Sequence, residues 1–164
     1  MSQILYFAYG SNLHLARFRQ RVPSANVITS ALLPGYELAF CKHGRDDSGK
    51  CTILPAANDQ VQGVVYEIAL SERPDLDELE GGYDRHILVV NTSMGTLQTF
   101  TYIARAELIK PGLLPYHWYK DYVLQGAQQH GLDADYCARI KAQNSIDDPD
   151  MERARQHLEN LTGQ

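Results

Sequence analysis

The chain is poor in the features that would mark an oxidised, metal-bound or nucleic-acid-binding protein. It has three cysteines, Cys41, Cys51 and Cys137, an odd number with no close pair. That fits neither a disulfide framework nor a zinc site, and it agrees with a reducing cytoplasm. Of its six histidines, His14, His43, His86, His117, His130 and His157, only His43 lies near a cysteine, two residues after Cys41, with no other His or Cys beside them, so no metal ligand set is expected. Positive charge is scarce: 15 Lys and Arg stand against 20 Asp and Glu, a formal net charge of −5. General nucleic-acid binding therefore lacks its electrostatic basis, and Arg17, Arg19 and Arg21 make only one short cluster on a single predicted helix. No apolar run approaches the roughly 20 residues of a membrane helix. Residues 1–3 lead into a strand without a basic start or a cleavable apolar segment. A Gly-x-Ser-x-Gly elbow is absent, and Gly10-Ser11 has no evident base and orienter, which disfavours a serine hydrolase. The expectation is a soluble, cytoplasmic protein without membrane or nucleic-acid partners, its 164 residues folding as one domain.

The most informative stretch that is present is Tyr6-Phe7-Ala8-Tyr9-Gly10-Ser11-Asn12-Leu13. Ile4 to Tyr9 is a β-branched and aromatic run suited to a buried strand. It breaks at Gly10-Ser11-Asn12, and Leu13 to Phe18 continues with helical spacing. Glycine permits a sharp turn or close approach to a bound group, and Ser11 and Asn12 are preferred N-cap types. Such a junction leaves backbone N–H groups free to meet a carboxylate or a developing oxyanion. On its residues alone it is also an ordinary capped helix after an edge strand.

The second stretch is Ser71 to Gly82, read as a short acidic helix over Pro74 to Glu80 that ends at Gly81-Gly82. Steps of three and four place Leu76, Leu79 and Glu80 on one face, with Asp75, Asp77 and Glu78 turned to solvent. Glu80 is thereby expected on the apolar side at a helix C-terminus. Burial and the macrodipole both disfavour its charged form there, which suits proton transfer near neutral pH. The alternative is that Glu80 turns outward or pairs with Arg85.

Elsewhere, strands are expected at 26–32 and 35–42, separated by a Pro34-Gly35 turn, then at 51–57 and 61–70 after an exposed loop over 43–50. A hairpin is expected over 86–91 and 97–104 around Ser93-Met94-Gly95. Helices are expected over 116–130, 133–142 and 149–161, the last peripheral. Strands followed by helices argue for one α+β domain built on a small barrel or strongly curved sheet.

Together the two stretches resemble the gamma-glutamylcyclotransferase family. The resemblance rests on the Tyr-Gly-Ser-Asn-Leu loop, the Gly63-Val64-Val65-Tyr66 strand, the Leu79-Glu80-Gly81 helix ending and the Gly35 to Phe40 strand. A Tyr-bearing helix at Trp118-Tyr119-Lys120-Asp121-Tyr122 matches as well, so the likeness covers most of residues 4–142. It implies a small mixed barrel with flanking helices over a core of 4–142, with 143–164 peripheral. It also implies a small-molecule gamma-glutamyl substrate held by Tyr6, Tyr9, Gly10, Ser11, Asn12, Leu13, Arg85 and Tyr119, with Glu80 as general acid/base. No cofactor and no metal are implied. Tyr83-Asp84-Arg85 follows the Glu-Gly ending closely, which leaves the leaving group open among amino acids, dipeptides and amines. Two other readings stay open: an amine-acting or tailoring enzyme of the same fold, and a non-catalytic carboxylate-binding module.

Overall fold

The computed structural model describes residues 2–163. The apolar run near the start forms β1 (Gln3–Ala8), whose last three residues, Tyr6, Phe7 and Ala8, are buried. β1 pairs antiparallel with β3 (Gly49–Ala69), from Gln3↔Ala69 to Ala8↔Val64, and parallel with β5 (Gly95–Ala104) through Tyr6↔Phe100. β2 (Asn26–His43) lies antiparallel to β3, and β4 (Tyr83–Thr92) pairs with β5 in unbroken register. The pair Leu32↔Asn91 joins β2 to β4 and closes a barrel of order β1-β3-β2-β4-β5. The flanking helices are α1 (Leu15–Arg21), α2 (Arg73–Leu79), α3 (His117–Gln129), α4 (Ala134–Ala142) and α5 (Met151–Thr162). The expected small mixed barrel with flanking helices is the fold, and its parallel component is the contact between β1 and β5.

Aromatic rings pack α1 against the sheet: Tyr6 lies 5.1 Å from Phe100 and 5.3 Å from Phe18, and Phe18 lies 4.5 Å from Tyr66, centroid to centroid. Gly63 is glycine because the chain comes too close for anything larger. A Cβ there would sit 2.2 Å from the Ala8 carbonyl oxygen and 2.7 Å from the Phe7 ring.

Several local expectations need correction. Pro34-Gly35 does not separate two strands. β2 runs through it with a register irregularity between Pro34 and Tyr36, and Gly35 takes φ +85°. The extra residues lie on β3, which advances five positions from Gln60 to Pro55 while β2 advances two, and such an irregularity bends the paired strands as a closing sheet requires. The two expected strands at 51–57 and 61–70 are likewise one strand, β3. The 43–50 loop shrinks to a tight turn that is not simply exposed. Ser48 is fully buried, and the Asp46 carboxylate accepts from Ser48 N and Oγ and from Lys50 Nζ. Ser11 and Asn12 do not cap α1: residues Ser11–Leu13 form a 3-10 turn, and His14 is the cap, its Nδ1 accepting from Arg17 N at 3.3 Å.

Strand direction sets where the site forms. β1 and β5 run the same way, so Tyr9 and Ala104 emerge at one end of the barrel, where β4 begins at Tyr83. β3 finishes at the opposite end, with Ala69 against Gln3, and α2 returns the chain to the first end.

Candidate active site

At that end the Gly10-Ser11-Asn12 turn faces the C-terminus of α2. The turn is fixed from behind by α3. A Cβ on Gly126 would lie 2.5 Å from the Leu13 carbonyl carbon and 2.6 Å from His14 N, so helix and turn are in direct backbone contact. Tyr66 Oη donates toward the Asn12 and Leu13 carbonyls at 2.9 and 3.2 Å, and His130 Nε2 lies 2.8 Å from the Leu13 oxygen. With the turn's carbonyls so engaged, the amides of Gly10, Ser11 and Asn12 donate to no acceptor among the described residues. Three consecutive free donors make a concavity for an anionic oxygen.

Gly10 stands at a close approach of the chain, with φ −112° and ψ −137°. A Cβ there would sit 3.0 Å from Cys51 Cβ and 3.7 Å from Tyr119 Oη.

Glu80 terminates α2 with its amide bonded to the Leu76 carbonyl at 2.9 Å, and its side chain is 15 % exposed. Its Oε1 accepts from Asn12 Nδ2 at 2.8 Å and lies 3.7 Å from the Arg21 guanidinium. Asn12 Nδ2 also reaches Tyr6 Oη at 3.0 Å, while Asn12 Oδ1 is buried with no protein partner. The expected pairing of faces is only half right. Leu76 is fully buried beside Glu80, but Leu79 is 52 % exposed, and Asp77 turns inward to accept from Tyr102 Oη at 2.6 Å.

Glu80 stands between two connected cavities. The inner well, about 30 Å³, is walled by Tyr6, Tyr9, Asn12, Cys51, Tyr83, Tyr102 and Tyr119. The outer chamber, about 260 Å³, shares Ser11, Glu80, Tyr83 and Tyr119 with the well and adds Arg17, Arg21, Lys42, Arg45 and Lys50. The tyrosines are locked. Tyr9 Oη donates to the Tyr102 carbonyl, Tyr83 Oη donates to the Cys51 carbonyl at 2.7 Å, and Tyr119 Oη accepts from Cys51 N at 2.9 Å. Burial pushes the Tyr6, Tyr9, Tyr83 and Tyr119 hydroxyls well above their ordinary range, so they act as neutral hydrogen-bonding groups. Burial likewise pushes the Cys51 thiol up to about 12, which leaves it inert as a nucleophile near neutral pH.

Of the residues expected to form the site, Tyr6, Tyr9, Gly10, Ser11, Asn12, Glu80 and Tyr119 converge on the well. Leu13 is fully buried beneath the turn and supports it without lining either cavity. Arg85 is not brought in. It lies on the outer surface of β4 and pairs with Asp77, so the alternative of a Glu80–Arg85 pair is also excluded. Tyr83, Tyr102 and the five cations were not anticipated. Arg17 and Arg21, four residues apart on α1, carried a readable signal, since that spacing puts both on one face. No cluster of three or more His, Cys, Asp or Glu suited to a metal occurs among the described residues, and none of their helices is long and apolar enough to cross a membrane.

A five-stranded barrel with a Gly-Ser-Asn turn set against a carboxylate defines a recognisable class. The family model described as AIG2-like matches residues 60–140. A solved structure titled gamma-glutamyl cyclotransferase superposes with a TM-score of 0.82 at 30 % identity, covering 89 % of this chain and 90 % of that one. The Homo sapiens gamma-glutamylcyclotransferase is 32 % identical over 145 residues, 84 % of this chain and 77 % of the relative. The Bos taurus protein of the same name is 30 % identical over 153 residues, 89 % and 80 % of the two chains. The chain belongs to the gamma-glutamylcyclotransferase family.

Proposed function

We propose that this protein is a gamma-glutamyl cyclotransferase, cleaving a gamma-glutamyl amide by internal cyclisation to release 5-oxoproline and the amine it carried. One observation carries the reading: a single carboxylate, Glu80, is held by Asn12 at 2.8 Å where the tyrosine-walled well opens into a larger chamber. The substrate brings its own nucleophile. Its α-amine closes a five-membered ring on the γ-carbonyl, so proximity replaces a protein nucleophile.

The glutamyl head is set at the mouth of the well, where it opens into the chamber, with its ammonium facing Glu80. Glu80 takes a proton from the ammonium, and the freed amine attacks the γ-carbon. The Gly10 and Ser11 amides receive the resulting oxyanion. The C–N bond to the leaving group then breaks as Glu80 returns a proton to the departing nitrogen. Over the whole reaction the α-nitrogen gives up two protons and the leaving nitrogen gains two, so no external acid or base is consumed. Tyr119 and Tyr83 shape the passage between the cavities. Three free thiols agree with a cytoplasmic setting.

The test is Glu80→Gln, which preserves shape and the Asn12 contact through its oxygen but cannot carry a proton. The rate of 5-oxoproline release from a panel of gamma-glutamyl amides, measured at saturating substrate, should fall by about 10²–10⁴ with the fold retained. Near-normal turnover by a folded Glu80→Gln protein rules out the assigned role.

A further inference from the structure

The outer chamber carries charge of the wrong sign for the chain as a whole. On a protein of net charge −5, five cations line it against two carboxylates, Asp46 and Glu80. Asp46 is already spent on Lys50 at 2.8 Å, and Glu80 faces Arg21 at 3.7 Å. Arg17, Lys42 and Arg45 have no carboxylate partner among the described residues. Two of these three are substantially withdrawn from water. Lys42 is only 6 % exposed, and its ammonium meets the Gly81 carbonyl at 3.2 Å and the face of Tyr83 at 4.9 Å. Arg17 lies 4.4 Å above the Tyr122 ring with its Nε buried and unpartnered. Lysine is seldom buried without a counter-charge, because desolvation of the ammonium is otherwise uncompensated. Burial accordingly lowers the pKa of both groups.

Position decides which part of a ligand these charges meet. Lys42 and Arg45 both flank Gly81, the residue after Glu80, with an Arg45 guanidinium nitrogen 2.8 Å from where a Gly81 Cβ would stand. They therefore surround the side of Glu80 that faces the chamber, away from the tyrosine well. The group protonated by Glu80 as it departs has its remaining atoms among these cations.

We propose, resting on the cyclotransferase reading above, that this site is built for an acidic leaving group. It would prefer gamma-glutamyl conjugates of an amino acid or short peptide bearing at least two carboxylates. An α-carboxylate alone would leave part of the unpaired charge unanswered. A side-chain carboxylate answers the rest, and an alkylamine answers none.

The experiment compares kcat/KM for 5-oxoproline release from gamma-glutamyl-glutamate, gamma-glutamyl-glutamine and a gamma-glutamyl alkylamine. The first two differ by one charge at nearly constant shape. The glutamate conjugate should be favoured over the glutamine conjugate by about tenfold, the range of one hydrogen bond to a charged group, with the alkylamine slowest. The preference should shrink as salt is raised. Arg45→Met and Lys42→Met should each bring the glutamate-to-glutamine ratio toward one; Arg45 is exposed, so its variant remains informative if the buried Lys42 variant fails to fold. Equal kcat/KM for the two conjugates, or a ratio unchanged in a folded Arg45→Met protein, overturns the inference while leaving the cyclotransferase reading standing. Absence of 5-oxoproline from every conjugate overturns both.

Discussion

Gly126→Ala separates helix propensity from the architecture of the site. By propensity alone the substitution should stabilise α3 by about 1 kcal/mol, since glycine is a poor residue for a helix interior. The packing predicts the reverse. The added methyl would lie 2.5 Å from both Leu13 C and Leu13 Cβ and 2.6 Å from His14 N, about 1 Å inside ordinary contact with groups that are mostly backbone. Helix or turn must move, and overpacking of this kind costs roughly 1–3 kcal/mol. The net expectation is a loss of up to about 2 kcal/mol, or up to roughly 8 °C in Tm for a chain of this size. Activity should suffer more than stability. α3 also holds Tyr119, whose hydroxyl meets Cys51 N at 2.9 Å, and the displaced turn carries Asn12, the partner of Glu80. Misplacement by about 1 Å near reacting groups can cost on the order of 10²-fold in rate. Urea unfolding together with kcat/KM for 5-oxoproline release measures both. A Gly126→Ala protein as stable and as active as the parent, or more so, would refute the claim that this glycine seats the turn.

Two further outcomes follow from the surroundings of the site. His157 is pushed down to about 4, chiefly by burial and then by Arg17 and Lys50, while its ring stacks on Trp118 at 3.7 Å. The unfolded chain therefore binds a proton that the folded chain rejects, and stability should decline as pH falls from about 6.5 toward about 4. His157→Phe keeps a ring on Trp118 and should flatten that decline in urea midpoints taken at pH 7 and pH 5; the slope should not vanish, because His14 and His130 are also lowered by burial. Gly10→Ala, which places a methyl 3.0 Å from Cys51 Cβ, should lower kcat/KM by about tenfold or more with an unchanged circular dichroism spectrum, and undiminished activity would show that the approach is not close enough to matter.

The core of the site was legible because it uses local rules. A buried apolar run broken by Gly-Ser-Asn gives β1 and its turn, and Leu76 and Glu80, four apart, do share a face of α2. Leu79 was misplaced because a helix of seven residues, barely two turns, does not fix a face by periodicity; tertiary partners do. Tyr102 and Arg85 draw Asp77 toward the barrel and leave Leu79 at the rim of the chamber. Pro34-Gly35 carries turn chemistry, yet stays within one long strand opposite an irregular stretch of β3, a use that depends on barrel closure and has no local mark. In the sequence Arg17 and Arg21 are, with Arg19, only a short basic cluster on one helix. Their role needed the chain to bring Lys42, Arg45 and Lys50 opposite them. Arg19, between them, turns outward to the Ala25 carbonyl at 3.2 Å.

The return passage made by α2 has a consequence for how this chain can vary in length. The 3-10 turn at Leu70–Glu72 and α2 together span the barrel from the end where β3 stops to the end where β4 starts, and Glu80 is carried on their last step. Inserting one residue would rotate Glu80 by about 100° about the helix axis and advance it by about 1.5 Å. Inserting a whole turn would restore its heading, but carry it about 5 Å past Asn12. Neither leaves a carboxylate at the mouth of the well. The segment thus acts as a fixed-length strut whose residue count is as much a part of the candidate site as Glu80 itself. The Ser93-Met94 turn at the opposite end, with Met94 65 % exposed, carries no such constraint and can accept insertions freely.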